Sequence, residues 1–311
     1  GHGVSRLHPV DVAASVRQRL LNRARDQGQD YQYVLGAFAV ERLLYRLSRS
    51  SHRDRFVLKG ATLFTLWSDL PHRATWDLDL LARAGGSVDE VVAAMQDIVR
   101  VPVEDDGLAF DAASLEGALI REGTEHGGVR VRFEVRLANA RIPVQVDVGV
   151  GDAPYPAPVE TPFPTMLAMP APLLHAYARE TVVAEKLDAM IVLGSGNSRL
   201  KDFYDVDYLA RSCAFDGAVL AEAIRRTLAA RGTPVPASMP VALTPEFGDD
   251  PARAQQWRGF LRRARLAPES GSLADAVGRI RVFLEPLLAA LSLGRPWERR
   301  WPPGGPWTEV G

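Results

Sequence analysis

The hydrophobic pattern of the chain changes character at one proline-rich stretch. Between residues 108 and 150 apolar and polar residues alternate as in β-strands, and beyond residue 178 apolar residues recur at helical spacing. The two regions are joined by residues 151–172, in which seven prolines favour an extended connection over a helix. The sequence therefore predicts an α+β chain of two domains, 1–170 and 171–311, of which the second is helical.

Helices and strands also alternate ahead of the strand region. The predicted elements there are, in order, helix 9–25, helix 31–49, strand 55–59, helix 61–70, strand 76–82 and helix 87–100. Within the strand region, turns are expected at Gly127–Gly128 and at Ala140–Arg141. The aromatic, proline-rich tail at 295–307 is expected to pack back onto the protein.

Composition excludes several classes of protein. Hydrophobic residues make up 47% and charged residues 24% of the chain, which argues against disorder and coiled coil. No apolar run approaches the roughly 18–20 residues that span a bilayer, so no membrane segment is expected. The single cysteine, Cys213, excludes an intramolecular disulfide and favours a reducing cytoplasm. The scattered histidines and the lack of a serine elbow leave metallopeptidase and serine hydrolase without support.

Charge is distributed unevenly along a chain whose net charge is only −1. Residues 1–50 hold eight arginines against four acidic residues, and residues 251–311 hold ten against five, so the middle is acidic. An acidic centre between basic ends suits a metal site beside a polyanion-binding surface, and solvated surface helices are the alternative. Only three of the 37 basic residues are lysines, which directs attention to Lys59, Lys186 and Lys201.

Two aspartates share one predicted strand. Asp77 and Asp79 stand two residues apart in W-D-L-D-L-L, so both carboxylates point to the same face of that strand. Two such charges side by side are unfavourable unless a cation neutralises them. Mg²⁺, which prefers oxygen ligands, is the expected cation.

A phosphate-binding turn is predicted one strand earlier. Lys59-Gly60-Ala61-Thr62 lies at a junction between a strand and a helix, where glycine lets backbone N–H groups approach an anion and the helix N-terminus favours negative charge. The alternative is a glycine that only turns the chain. With the aspartate pair, this segment predicts a phosphate site next to a metal site.

A third carboxylate and a lysine complete the candidate set. Asp147 lies in the apolar strand V-Q-V-D-V-G-V, where it needs either a metal or a buried arginine partner. Lys186, on a predicted helix, could hold a triphosphate, and Asp202 or Asp205 on the next helix could orient it or contact the nucleotide. An ion pair between the two helices is the structural alternative for this second group.

The sequence from residue 251 to 265 predicts a basic helix. Trp257 stands among several arginines there, a combination suited to contact with an RNA backbone, and a solvated face is equally compatible with it.

Five ordered motifs together resemble the AbiEii/AbiGii family of nucleotidyltransferase-like toxins, which includes the MenT-type mycobacterial toxins. The motifs are K-G-A-T-L from Lys59, R-x-T-x-D-L-D-L from Arg73, V-D-V-G-V-G-D from Val146, A-E-K-L from Ala184 and R-L-K-D-F-Y-D from Arg199. The resemblance covers residues ~55–210. It implies a DNA polymerase β-type nucleotidyltransferase core completed by the helical domain.

The resemblance also implies roles for single residues. It places Asp77 and Asp79 on the metal-binding carboxylates, with Asp147 as third ligand. Nucleotide contacts are expected from Lys59, Gly60, Thr62, Arg73, Lys186 and Asp205, and Asp202 joins the catalytic set with Lys186. Many members have Gly-Gly or Gly-Ser where this chain has Gly60-Ala61, so any loop hydroxyl must come from Thr62.

The implied reaction is transfer of a nucleoside monophosphate, often a pyrimidine nucleotide, from an NTP to the 3′ end of tRNA, with two Mg²⁺ ions at the carboxylates. The implied biological role is that of a cytoplasmic toxin restrained by a cognate antitoxin. Two alternatives stay open at this point. One is a nucleotidyltransferase that modifies a small molecule or a protein, and the other is a non-catalytic module that binds NTP or antitoxin.

Thr75 is a candidate regulatory residue. It lies two residues before Asp77, and a phosphate there would add about −1.5 to −2 charges beside carboxylates that already need cations. An antitoxin that acts as a kinase would silence the enzyme in this way. The alternative is a threonine whose hydroxyl only bonds a nearby backbone group.

Overall fold

The computed structural model of the protein describes residues 11–68, 72–120, 127–151, 153–266 and 271–311. The chain divides into two compact units, Gly1–Asp152 with Val159–Ala176, and Ala153–Pro158 with Tyr177–Gly311. The assignment of residues 1–170 as a nucleotidyltransferase core, and of 171–311 as the domain that completes its cleft, stays a prediction.

Among the described residues, the first unit has three α-helices, and each begins at a side-chain cap. They are α1 (Val12–Asp26), α2 (Tyr31–Arg49) and α3 (Val88–Val99). Asp11 and Asp30 accept a hydrogen bond from the backbone three residues on, and Ser87 forms a capping box with Glu90. Because a cap satisfies N–H groups that lack an intrahelical partner, these polar residues fix where each helix starts.

The first unit is built on a mixed eight-stranded sheet. Its strands are β1 (Phe56–Lys59), β2 (Asp77–Ala82), β3 (Leu108–Phe110), β4 (Glu116–Ile120), β5 (Gly128–Leu137), β6 (Ala140–Val150), β7 (Val159–Pro162) and β8 (Leu173–Ala176). The order is β3-β5-β6-β2-β1-β8-β7, with β4 also paired to β5. The pairs β2–β6 and β1–β8 are parallel and the others antiparallel. The predicted α+β class with a mixed sheet is confirmed.

The two faces of the central strands differ in polarity. Leu78 and Leu80 of β2 and Val146 and Val148 of β6 are completely or almost completely buried. α2 lies against β6, and α3 against β4 and β5. The intervening residues of β2 and β6 point to the opposite face, which carries the aspartates.

The hairpin between β5 and β6 turns earlier than the sequence indicated. Leu137 pairs with Ala140, so the turn lies at 138–139, where Ala138 adopts a φ of 53°, and the prediction of a turn at Ala140–Arg141 is wrong. A tight two-residue turn needs this left-handed backbone, which a sequence without glycine there does not signal. The turn expected at Gly127–Gly128 adjoins residues 121–126, which lie outside the described residues.

The segment after β1, where a helix over 61–70 was predicted, is a short 3-10 helix, Ala61–Leu66. Its backbone bonds run three residues apart, as from Leu63 N–H to the Gly60 carbonyl. Segments this short adopt the tighter helix readily. The end of the predicted helix at 69–70 lies outside the described residues, as does the start of helix 9–25.

The second unit is mostly helical. Its α-helices are α4 (Arg179–Leu193), α5 (Leu200–Ser212), α6 (Gly217–Ala230), α7 (Pro245–Gly248), α8 (Pro251–Arg263) and α9 (Leu273–Ser292). A small sheet joins β9 (Phe215–Asp216), β10 (Arg299–Trp301) and β11 (Thr308–Glu309). The indole of Trp301 is buried and donates to the Ala210 carbonyl, so the tail packs onto this unit as predicted. No helix among the described residues has both the length and the apolar character needed to cross a membrane.

Candidate active site

The polar face of the first unit begins with the aspartates of β2. Asp77 and Asp79 are half-buried, whereas Leu78 between them is fully buried. The alternation predicted from W-D-L-D-L-L is therefore present, and both carboxylates lie on one face. Partial burial strengthens electrostatic interactions while leaving the carboxylates open to solvent and solutes.

Gly60 lies against one of these carboxylates. A Cβ added to Gly60 would stand 2.2 Å from Oδ2 of Asp79 and 2.8 Å from its Cβ. The φ of Gly60 is 74°, in the left-handed region that favours glycine. Both the contact and the backbone therefore require glycine here, and the loop approaches the carboxylate because this residue has no side chain.

The pairing of four strands places charged residues in a row across the sheet. Lys59 of β1 pairs with Asp79, Asp79 pairs with Asp147 of β6, and Asp147 pairs with Arg130 of β5. The Lys59 ammonium reaches to 3.9 Å from the position that a Cβ on Gly149 of β6 would occupy. The row thus places two adjacent carboxylates between two cationic side chains.

Arg130 forms a two-point ion pair with Asp147. Its Nε and an Nη donate to the two carboxylate oxygens of Asp147, each at 2.8 Å. The side chains are 33% and 18% exposed, so the pair is neither buried nor fully solvated. This is the arginine partner that the sequence left open as the alternative for Asp147, and the role of Asp147 as a metal ligand stays a prediction.

The carboxylates of this face suit a hard divalent cation, although they do not form a complete cage. Asp77 and Asp79 supply oxygen donors on one face, and the missing side chain of Gly60 makes room for the Asp79 carboxylate itself. Across the described residues, no three acidic, histidine or cysteine side chains converge as a preformed metal site. Two aspartates therefore suit such an ion, and the oxygens of Asp147 accept from Arg130 in this structure.

The loop before β2 is held at both ends by aromatic contacts. The ring of His72 stacks on Phe64 of the 3-10 helix, with ring centroids 4.1 Å apart, and Trp76 packs edge-to-face on Tyr33 of α2 at 5.6 Å. Burial raises the pKa of Tyr33, and the nearby charge of Arg73 opposes the rise. The loop is thus fixed next to the carboxylates.

Two predicted site residues lie in or beside this loop region. The Thr75 hydroxyl donates to the backbone carbonyl of Asp77 at 3.2 Å, which is the backbone contact named as the alternative to a regulatory role. Thr62 lies in the 3-10 helix and is 7% exposed. Neither observation tests the functional role proposed for these residues.

The second unit holds Lys186 between two buried aspartates. Its Nζ lies 2.8 Å from Oδ1 of Asp202 and 3.1 Å from Oδ2 of Asp205, and both carboxylates are fully buried. Arg199, which sequence reasoning missed, lies 2.9 Å from the other oxygen of Asp202. The ion pair between α4 and α5 that the sequence offered as the alternative is present in this geometry.

The outer side of α8 is basic. Three exposed arginines lie on α8 and a fourth two residues after it, and among the residues that the structure describes none of them lies in ion-pair range of a carboxylate; they are Arg258, Arg262, Arg263 and Arg265. Trp257 is 1% exposed and its indole donates to the Gly271 carbonyl. Trp257 therefore belongs to the core of the unit, and only the arginines present themselves at this surface.

A family model described as "Nucleotidyl transferase AbiEii toxin, Type IV TA system" matches residues 42–279, well over half of the chain. The chain belongs to the AbiEii nucleotidyltransferase toxin family. The resemblance inferred from the five motifs is thus confirmed, and the AbiEii match includes both the carboxylate face and the Lys186 cluster. As the family description implies, the chain is the toxin type of a toxin–antitoxin pair, whose partner is a cognate antitoxin.

Two solved structures resemble this AbiEii chain at low identity. MenT4, a nucleotidyltransferase toxin from Mycobacterium tuberculosis H37Rv, is 22% identical over 90% of this chain and 98% of its own, with a TM-score of 0.45. JHP933 from Helicobacter pylori is 15% identical over 83% and 90%, with a TM-score of 0.46. A search of curated proteins gave no significant match. Family membership therefore rests on the family model.

Proposed function

We propose that this AbiEii toxin transfers a nucleoside monophosphate, from a pyrimidine NTP, to the 3′-hydroxyl at the acceptor end of tRNA. The added nucleotide would block aminoacylation and hence translation. The reaction would depend on Mg²⁺ and would take place in the cytoplasm, where NTPs and tRNA occur together.

One observation carries the proposal. The loop at Gly60 touches the carboxylate of Asp79, and Asp79 shares one face of its strand with Asp77. The chain in which these residues meet belongs to a nucleotidyltransferase family. A cation beside carboxylates and a glycine loop for phosphate are what phosphoryl transfer requires, because its catalysis is mostly alignment and charge stabilisation.

In the proposed reaction the 3′-oxygen of the acceptor forms a bond to the α-phosphorus of the NTP. The bond from that phosphorus to the bridging oxygen breaks, pyrophosphate leaves, and the hydroxyl proton passes to Asp147. Mg²⁺ held by Asp77 and Asp79 would neutralise phosphate charge and lower the pKa of the attacking hydroxyl. The Gly60 loop, with Lys59, Thr62 and Arg73, orients the triphosphate.

The proposed roles in the second unit come from the motif resemblance. Lys186 offsets charge on the β- and γ-phosphates, and Asp202 and Asp205, which are fully buried and hold its ammonium, orient it. The buried position of both aspartates supports a structural role equally well. Variants of Lys186 must therefore be assayed for stability as well as for transfer.

The acceptor preference is supported by the basic side of α8. Four exposed arginines without acidic partners among the described residues suit a phosphate backbone. An aminoglycoside acceptor carries positive charge, and such a surface repels it. This observation favours RNA over the small-molecule alternative.

The test combines the full chain with each α-³²P-labelled NTP and total tRNA, with and without Mg²⁺. We expect label in tRNA, most strongly from CTP or UTP. Periodate-oxidised tRNA, which lacks a reactive 3′-diol, is the matched control and should stay unlabelled. Label that appears instead in an aminoglycoside or in protein would replace the proposal by the first alternative, and nucleotide binding without transfer to any acceptor would replace it by the second.

The proposed regulation acts at Thr75. A phosphate on its hydroxyl would break the bond to the Asp77 carbonyl and place negative charge beside Asp77 and Asp79, as a kinase-type antitoxin would do. Thr75→Glu should then lose transfer at saturating Mg²⁺ while Thr75→Val keeps it. Full activity of Thr75→Glu would refute regulation by charge, and loss in both variants would assign the hydroxyl a structural part.

A further inference from the structure

The Arg130–Asp147 pair lies directly beside the proposed cation site. Asp147 pairs with Asp79 across the parallel strands β6 and β2, so the two carboxylates are neighbours on one face. Like charges this close destabilise a sheet unless they are neutralised. Arg130, on the next strand, supplies part of that neutralisation by engaging both oxygens of Asp147.

The two-point pair with Arg130 occupies one lone pair on each carboxylate oxygen of Asp147 and offsets its charge, which makes Asp147 a weaker ligand for a metal ion. Each oxygen of Asp147 accepts from an Arg130 nitrogen at 2.8 Å, the short distance of a charge-assisted hydrogen bond. Asp147 becomes a stronger third ligand when Arg130 withdraws. Its side chain is 33% exposed, so water can solvate the guanidinium after it leaves.

We propose that Arg130 is a positioning residue that competes with the divalent cation for Asp147 and thereby lowers the affinity of the site for metal. The inference rests on the proposed function, because it takes the Asp77–Asp79 face as the metal site. Arg130 lowers the affinity for metal in two ways. It holds the third carboxylate away from the ion, and its positive charge repels the ion.

The neighbouring pair on the same two strands supplies a matched control. Arg132 also lies on β5, two residues from Arg130 and on the same face, and its Nε donates to Oε1 of Gln145 at 2.9 Å. Arg132→Gln therefore removes one positive charge from the same surface without releasing a carboxylate. A difference between the variants isolates the effect of freeing Asp147.

The experiment titrates Mn²⁺ into the full-length protein without nucleotide and measures free Mn²⁺ by electron paramagnetic resonance. Arg130→Gln should bind Mn²⁺ about tenfold more tightly than the native chain, and Arg132→Gln should change the affinity by less than about twofold. In an Asp147→Asn background the Arg130→Gln effect should shrink to that of removing one positive charge, as in Arg132→Gln. Arg130→Lys, which keeps the charge but loses the two-point contact, should lie between the native chain and Arg130→Gln, and it carries the test if Arg130→Gln does not fold.

Three results would overturn the inference: unchanged or weaker Mn²⁺ binding in the Arg130 variants, equal tightening in Arg132→Gln, or tightening that is undiminished with Asp147→Asn. The double variant Asp77→Asn/Asp79→Asn separates this failure from that of the proposed function. If it binds Mn²⁺ as well as the native chain does, the proposed metal site is wrong and the inference fails with it. If it loses binding while Arg130→Gln changes nothing, only the inference fails.

Discussion

The two charged clusters of this chain, one on the sheet of the first unit and one between α4 and α5 of the second, are built in opposite ways. On the sheet, Asp77 and Asp79 are half-buried, and the nearest loop makes room for Asp79 with a glycine. Between the helices, Asp202 and Asp205 have no exposed surface, and Lys186 reaches both.

The two clusters differ in how much stability the protein loses when a carboxylate loses its partner. A half-exposed carboxylate can exchange one partner for another because water compensates part of the loss. A fully buried carboxylate that loses its cation leaves an uncompensated charge, which destabilises a protein by about 3–5 kcal/mol. The sheet cluster is therefore suited to ligand exchange, and the helix cluster is expected to hold α4 and α5 in register.

The largest expected effect is a loss of nucleotide transfer when the sheet cluster is changed. Asp77→Ala should reduce nucleotide transfer by about 10³-fold or more, because the cation would lose one of its two ligands. The melting temperature should change little, since the side chain is half-exposed. Asp105→Asn, which removes an aspartate from an exposed loop, is the control. Retained growth inhibition by Asp77→Ala in cells would contradict the site assignment.

The second prediction disturbs the helix cluster. Lys186→Ala should lower the free energy of unfolding by about 3–5 kcal/mol, because Asp202 and Asp205 lose their shared cation. Urea denaturation followed by circular dichroism measures this. Lys186→Arg should recover only part of the stability, since a planar guanidinium does not replace a compact ammonium between two carboxylates. A Lys186→Ala protein that is fully stable but fails to use NTP would assign the lysine to the triphosphate alone.

The third prediction separates backbone strain from steric exclusion. Gly60→Ala combines a left-handed φ with a Cβ driven into Asp79, whereas Gly28→Ala has a φ of 61° and open space around the new methyl group. Gly28→Ala should lose about 1 kcal/mol of stability from strain, and Gly60→Ala more than that, because a ψ of −162° places Gly60 in a region that essentially only glycine adopts. Only Gly60→Ala should also lose transfer activity, by at least about tenfold, because the carboxylate must move. Equal activity of the two variants would show that the contact with Asp79 is dispensable.

The smallest expected effect lies outside both clusters. Reversing charge at Arg262 and Arg263 together should weaken tRNA binding about tenfold at low salt and flatten its salt dependence, since each phosphate contact releases counterions. Filter binding at several KCl concentrations measures the slope. Reversing Arg225 and Arg226, which already pair with Glu222, serves as the control. A salt slope unchanged from that of the native chain would leave α8 an ordinary solvated surface.

Local sequence patterns were enough to predict the strands and helices that carry the site residues. They did not predict every ion pair that these residues form. The alternation around Asp77 and the helices carrying Lys186 and Asp202 follow from periodicity, which depends only on neighbours in sequence. That Asp147 needs a cationic partner also follows from its apolar strand. Which residue fills that need depends on strand register, because register is set by the position of a turn.

The β5–β6 hairpin shows how much depends on that turn. With the turn at 138–139, Asp147 stands opposite Arg130. A turn at Ala140–Arg141, as the sequence suggested, would have set Asp147 opposite Glu134, a pair of like charges. Cross-strand charge matching could therefore have located the turn, since only one of the two registers gives Asp147 a cationic partner.

The contact between Gly60 and Asp79 also affects which missense mutations of the gene inactivate the toxin. Every missense mutation of a glycine codon introduces a residue with a β-carbon, and at position 60 each such carbon meets the carboxylate of Asp79. A bacterium that loses its antitoxin survives by inactivating the toxin, so its surviving descendants should carry mutations in this codon often. Codon 28, which encodes a glycine with open space around it, should seldom appear among them.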